Sequence, residues 1–166
     1  MSTAAAQQDF EEFYRATAPR VVHLVYATTG DMTIAQDSTQ EAFARAWQRW
    51  ATISEYDEPL AWVRTVARRV AISAWRKEQA RDRAYVRHGA VAPTDGPGVD
   101  RVAVLAALQT LSEPIRESVA LHYIADMPVE QIARETGAAV GTVKSHLHRG
   151  RRQLAEALEI KENDHA

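Results

Sequence analysis

The stretch Pro128–Leu154, PVEQIARETGAAVGTVKSHLHRGRRQL, decides how the chain is read. Two short helical patterns flank a tight turn. Ile132 and Ala133 are expected on the inward face of the first, and Val140, Val143 and Leu147 recur at helical spacing in the second. Gly137 supplies the left-handed conformation that a sharp helix-to-helix turn needs without a Cβ clash. Around Val143 and Leu147, the side chains expected to point outward are Thr142, Lys144, Ser145, His148 and Arg149. All can donate hydrogen bonds, and no carboxylate occurs from Gly137 to Arg152. This is the layout of a helix-turn-helix whose second helix enters the DNA major groove. A helical hairpin with a solvated basic face shares the periodicity. The coincidence of turn glycine, apolar pattern and carboxylate-free face favours DNA.

The rest of the chain agrees with a helical protein. Its 166 residues suit one domain or two small ones. The net charge of −2 suggests no nucleic acid by itself, but the charge is segregated. Arg64, Arg68, Arg69, Arg76, Lys77, Arg81, Arg83 and Arg87 crowd one segment against Glu78 and Asp82, while acids gather at Asp9, Glu11 and Glu12 and from Glu55 to Glu58. The absence of cysteine excludes a disulfide framework, a thiolate zinc site and a thiol switch in this chain. The start MSTAAAQQDFEE has no basic opening or apolar run, so no secretory signal is expected. No apolar stretch approaches the roughly 20 residues needed to span a bilayer. A cytoplasmic protein without membrane insertion is expected.

In order, the first helix is expected over about Asp9–Thr28, with Phe10, Phe13, Tyr14, Val21, Leu24 and Val25 as its apolar stripe. Pro19 is expected to kink or split it, and Gly30-Asp31 to stop it. The second covers roughly Thr33–Trp50, with Ile34, Ala35, Phe43, Ala46, Trp47 and Trp50 able to face a core. After the acidic break Thr52–Glu58, Pro59 opens a third helix to about Arg83. Its expected inward positions are Trp62, Val63, Val66, Val70 and Ala74, with arginines over the rest. From Tyr85 to Val99 the periodicity fails, and APTDGPG reads as a linker. Helices around Val99–Leu108 and Glu113–Tyr123 follow, the latter with Pro114 in its first turn after a Ser112 cap. The expectation is an all-α fold of two small helical domains: residues 1–84, a flexible linker 85–98, residues 99–160 and a tail 161–166.

Two separated segments resemble one family, the extracytoplasmic-function (group IV) RNA polymerase sigma factors of the sigma-70 family. Ala35-Gln36-Asp37, Gln40-Glu41, Phe43, Arg45 and Trp47 are similar to that family's region 2 signature. Pro59, Ala61-Trp62-Val63 and Val66-Ala67-Arg68 resemble its strand-opening segment. Leu111–Leu154 resembles region 4, most densely at Val140–Ser145 and Leu147–Arg149. The resemblance implies that region 2 docks on a coiled coil of the largest polymerase subunit and melts the −10 element. Region 4 would bind the −35 element and touch the polymerase flap. Core RNA polymerase, promoter DNA and an anti-sigma factor are the implied partners, and no cofactor or metal is expected.

Each role falls on particular residues. Asp37, Gln40, Glu41 and Arg45 lie near one helical stripe and match the polymerase-binding positions, although such a stripe also suits a solvated face. For melting, aromatics must catch unpaired bases and cations must neutralise the strand. Trp62, Arg64, Arg68, Arg69, Ser73, Arg76 and Lys77 are the candidates, with a core role for Trp62 equally open. Many family members carry asparagine at the position of Arg69, so the −10 bases read here are left open. For the −35 element, Lys144, Ser145, His148 and Arg149 suit base edges, and Thr142, Arg151 and Arg152 suit phosphates. Two departures stand out: Ala139 replaces the usual serine cap, and His146 replaces a commonly basic residue.

A helix-turn-helix regulator acting without polymerase docking is the alternative. Region 4 alone does not separate the two, but Ala35–Trp47 and the arginine-rich third helix favour a sigma factor. An enzyme is disfavoured. His146 and His148 lie two apart and point to different sides of a helix, and no nucleophile elbow, Walker loop or dinucleotide glycine motif occurs.

Overall fold

Gly30 and Gly137, the glycines with positive φ among the described residues, each end a helix in the left-handed conformation. The computed structural model describes residues 2–84 and 99–164, and all regular structure among them is helical. The chain divides into two compact units, 1–91 and 92–166. The division falls inside the segment read as a linker, whose residues 85–98 lie outside those described.

The first unit comprises α1 (Thr3–Thr29), α2 (Met32–Gln48), α3 (Trp50–Ile53) and α4 (Pro59–Ala84). Helix α1 begins earlier than expected, with Ser2 accepting from the Ala5 N–H at 3.3 Å. It also runs unbroken through Pro19. Proline deprives the Arg15 carbonyl of its helical partner, but both residues are exposed, so water can take up the freed acceptor. Gly30 closes α1, and the Asp31 carboxylate caps α2 by accepting from the Ile34 N–H at 2.9 Å.

Val21, Leu24 and Val25 of α1 meet Ile34, Ala35, Ala42, Phe43 and Ala46 of α2, with Val63, Ala67 and Ala71 of α4 completing the core. An aromatic cluster of Phe10, Phe13, Tyr14, Phe43, Trp47 and Trp50 extends it. The Trp50 indole N–H donates to the Asp9 carboxylate at 3.0 Å. Two expectations are corrected. Trp47 packs on Phe10 at the edge of the core and remains 42% exposed rather than buried within it. On α4, Val66, Val70, Ala74 and Trp62 are only half-buried, and Arg64 and Arg68 turn inward beside Val63, Ala67 and Ala71. Those alanines leave room beside the helix, and arginine's methylene stem can fill such apolar space.

The second unit comprises α5 (Val99–Gln109), α6 (Glu113–Tyr123), α7 (Val129–Thr136) and α8 (Val140–Asp164). Helix α8 therefore continues into the expected tail. Leu108, Leu111, Ile115, Val119, Leu121, Met127, Ile132, Val143 and Leu147 are buried together. A Cβ on Gly150 would lie 2.4 Å from Val119 Cγ2 and 3.2 Å from Ile115 Cγ2, so α6 and α8 approach as closely as only glycine allows there. Ser112 occupies the cap position of α6 without a side-chain cap bond. Buried Arg116 instead donates to Gln109 Oε1 at 2.9 Å, tying α6 back to α5. Burial lowers the Arg116 pKa, with the nearby Glu113 charge opposing that shift. Among the described residues, no helix is long and apolar enough to cross a membrane.

Candidate nucleic-acid and polymerase surfaces

The turn between α7 and α8 is built from local chemistry. Gly137 sits at φ 77 and its N–H bonds the Ala133 carbonyl at 3.0 Å. The Thr136 hydroxyl accepts from the Ala138 N–H at 3.4 Å. Ala139 precedes α8 and its carbonyl accepts from the Val143 N–H at 3.0 Å. Alanine has no side-chain acceptor for the other open N–H groups of that first turn.

Val143 and Leu147 anchor α8 inward, which leaves Thr142, Lys144, Ser145, His148, Arg149, Arg151 and Arg152 exposed. Val140, expected inward, is 37% exposed because the helix begins at that residue, before its apolar side meets α7. His146 turns partly inward, its Nδ1 lying 3.2 Å from Ser118 Oγ on α6. Arg151 and Arg152 differ from the residues before them. Arg151 donates to the Tyr123 hydroxyl at 3.1 Å and lines an apolar cavity of about 450 Å³ with Val104, Leu108, Val119 and Leu154. Arg152 Nε lies 3.9 Å from Glu156 Oε1, an exposed and weak ion pair.

On α4, Arg69, Ser73, Arg76 and Lys77 share an exposed face at spacings of four, seven and eight. Trp62 stands half-buried just after the acidic break, in which Tyr56 is exposed. Arg64 and Arg68, expected to follow phosphates, are buried at 9% and 4% exposure and are already engaged in interactions. That expectation is corrected. On α2, Asp37, Gln40, Glu41 and Arg45 are all exposed, and Arg45 Nε pairs with Glu41 Oε1 at 2.7 Å.

Sequence reasoning missed Gly150, the Arg151–Tyr123 bond and the Asp9–Trp50 bond. Only Gly150 carried a signal, since an isolated glycine within a helical pattern implies a close packing neighbour or a functional demand. Among the described residues, no group of three or more histidine and acidic side chains could hold a metal ion.

Known proteins match both units. The model of sigma-70 region 2 matches residues 13–81, and that of sigma-70, region 4, matches residues 101–154. The ECF RNA polymerase sigma factor SigK of Mycobacterium bovis (strain BCG / Pasteur 1173P2) is 30% identical over 167 residues, covering 93% of this chain and 88% of that protein. SigK of Mycolicibacterium vanbaalenii is 29% identical, covering 93% and 86%. The fold is similar to that of the sigma factor RpoE in its complex with the anti-sigma factor NepR from Bartonella quintana. That match has a TM-score of 0.76 at 24% identity and covers 92% of this chain and 98% of that one. CnrH, in complex with the cytosolic domain of CnrY, matches with a TM-score of 0.67 at 19% identity, covering 95% and 94%. A region 2 match beside the helix-turn-helix is not what a free-standing regulator carries, so that alternative is not favoured. With both regions matched in order and SigK aligned over most of both lengths, the chain belongs to the ECF sigma factors of the sigma-70 family, alternative sigma factors in transcription initiation.

Proposed function

We propose that the two units divide one promoter between them. The reading rests first on α8, where an uninterrupted set of exposed donors, free of carboxylates to Arg152, stands over a buried Val143–Leu147 seam. Lys144, Ser145, His148 and Arg149 read base edges of the −35 element in the major groove. Lysine and arginine suit guanine acceptors, and a good bidentate contact contributes roughly 1–3 kcal/mol of discrimination. Thr142 and Arg152 hold phosphates, and Arg151 does so from the flank of the helix where Tyr123 restrains it.

In the first unit, Trp62 stacks on an unpaired base of the −10 element while Arg69, Ser73, Arg76 and Lys77 follow the strand. Docking falls to Asp37, Gln40, Glu41 and Arg45, set against the coiled coil of the largest polymerase subunit. The apolar cavity bordered by Arg151 receives the polymerase flap. An anti-sigma factor is a further partner, as RpoE has in its complex with NepR. These roles place the protein in the cytoplasm with the polymerase, without catalytic activity or cofactor of its own.

Run-off transcription with core polymerase tests the reading. Added to core enzyme, the chain should start transcription at a promoter with paired −10 and −35 elements, and Lys144→Ala or Arg149→Ala should lower the yield about tenfold or more. Selective DNA binding with no effect on core enzyme would instead support a regulator. Parent-like transcription by both variants at moderate salt would sink the placement of the recognition helix.

A further inference from the structure

The Asp9–Trp50 bond ties α1 to the shortest helix described in the first unit. Helix α3 has four residues, and little within it fixes where it lies. A single helical turn is not stable alone, because fixing its backbone costs more than its few bonds return. Its cap position, Arg49, makes no side-chain cap bond, and the Ser54 hydroxyl at its other end is buried without a hydrogen-bond partner among the described residues. The placement of α3 therefore falls to its two buried side chains, Trp50 and Ile53. Phe10 and Phe13 pack on the Trp50 indole at centroid distances of 5.1 and 4.9 Å. Ring packing tolerates sliding and tilting, whereas a hydrogen bond is directional. The 3.0 Å bond from Trp50 Nε1 to Asp9 Oδ2 is thus the contact that fixes how the indole is turned. Its acceptor is a carboxylate and its donor belongs to a residue only 5% exposed, so the bond is a strong one of its kind.

Backbone bonds carry that placement forward. The Ser54 N–H donates to the Trp50 carbonyl at 2.8 Å, and the Tyr56 N–H to the Ile53 carbonyl at 3.1 Å. The Glu58 carbonyl then accepts from the Ala61 N–H at 3.1 Å as α4 begins, and Trp62 is the next residue. The turn 54–58 is therefore slung between α3 and the first turn of α4. A rotation of α3 moves Tyr56 and alters the approach to Trp62.

We propose that Asp9 is a positioning residue for promoter opening: through the Trp50 indole it sets α3, and with it the turn that leads to Trp62. This deepens the −10 role given to Trp62 above and rests on it. Asp9 acts from 41 positions away in the chain and needs no contact with DNA.

The test is −10 opening by the full-length chain on core polymerase, followed by permanganate reactivity, at a temperature where melting shows each variant folded. Affinity for core enzyme is measured in parallel. Asp9→Ala should slow opening about tenfold, the loss of one hydrogen bond to a charged group, with core affinity like the parent's. Asp9→Asn keeps an acceptor and should recover opening to within about threefold of the parent. Trp50→Phe keeps a ring and removes the donor. It should slow opening as Asp9→Ala does, and the double variant should be no slower than either single one. Trp62→Leu, which removes the stacking ring, tests the underlying −10 role. Slow opening by Trp62→Leu with parent-like opening by Asp9→Ala overturns the positioning and leaves the −10 role in place. Parent-like opening by Trp62→Leu overturns the −10 role and the positioning with it. Losses that add in the double variant overturn the positioning, since the two residues then act apart. So does a slow Asp9→Ala that Asp9→Asn does not relieve and that loses core affinity in step, because Asp9 then serves stability alone.

Discussion

Helices α4 and α8 carry similar cargo to different places. Both are long, and both mix arginines with apolar residues. On α4, Arg64 and Arg68 lie inside the unit, whereas on α8 Lys144, Arg149, Arg151 and Arg152 stay outside. The buried seams differ: Ala67 and Ala71 with Val63 on α4, against Val143 and Leu147 on α8. Small residues leave space that neighbouring arginine stems can enter, and large ones fill it. A run of arginines beside a small seam thus divides, Arg64 and Arg68 turning inward while Arg69 and Arg76 stay exposed.

The sharpest way to break that contrast is at neighbouring positions of α4. Arg68→Ala should cost the first unit about 2–3 kcal/mol, because it removes a buried stem and the interactions of its head group. For a unit of this size the midpoint of thermal unfolding should fall by roughly 10 °C or more. Arg69→Ala, exposed one residue on, should melt within about 0.5 kcal/mol of the parent and instead slow promoter opening, read by permanganate footprinting. Equal melting of the two variants would remove the distinction.

The next largest effect compares two glycines of α8. Gly150→Ala drives a Cβ against Val119 and Ile115, whose β-branched side chains have little rotamer freedom. Overpacking there should destabilise the second unit by about 1–3 kcal/mol. A Cβ on Gly141 meets nothing within 4 Å, so Gly141→Ala should stabilise the helix by about 0.5–1 kcal/mol. Urea unfolding of both variants decides it. If both stabilise, the close approach of α6 and α8 is wrong.

What could be read without coordinates divides along the same line. Gly30-Asp31 as a stop, Gly137 as the turn and Val143 and Leu147 as anchors came through because each rests on local geometry or periodicity. The exposed stripes of α2 and α8 followed for the same reason. Arg64, Arg68 and Trp47 were misplaced because their burial is set by neighbours on other helices, which no local period reports. Of the kink or split expected at Pro19, the split does not occur, because the Arg15 carbonyl that proline frees belongs to an exposed residue that water can reach. The bonds from Arg151 to Tyr123 and from Trp50 to Asp9 join residues 28 and 41 positions apart, beyond the reach of any helical period.

A smaller effect is expected where α8 begins. Ala139 leaves the helix without the side-chain acceptor that serine provides, while Asp31 supplies one to α2. Ala139→Ser should stabilise the second unit by about 1 kcal/mol. It should also tighten −35 binding slightly, because the first turn carrying Thr142 and Lys144 frays less. No gain in melting temperature would mean that the turn around Gly137 already fixes the helix start.

The smallest effect lies at the far end of the same helix. Arg152 and Glu156 are side chains 75% and 65% exposed with 3.9 Å between their nearest charged atoms, so the pair adds little to stability. Its consequence is electrostatic: Glu156 is the first carboxylate on a face that is otherwise cationic or neutral from Lys144 onward. Glu156→Gln should leave melting unchanged and raise affinity for −35 duplex about twofold at low salt. The gain should fade as ionic strength rises and the Debye length shrinks to about 3 Å near 1 M. A gain that persisted at high salt would mean that residue 156 touches the DNA, extending the reading face a full turn beyond Arg152.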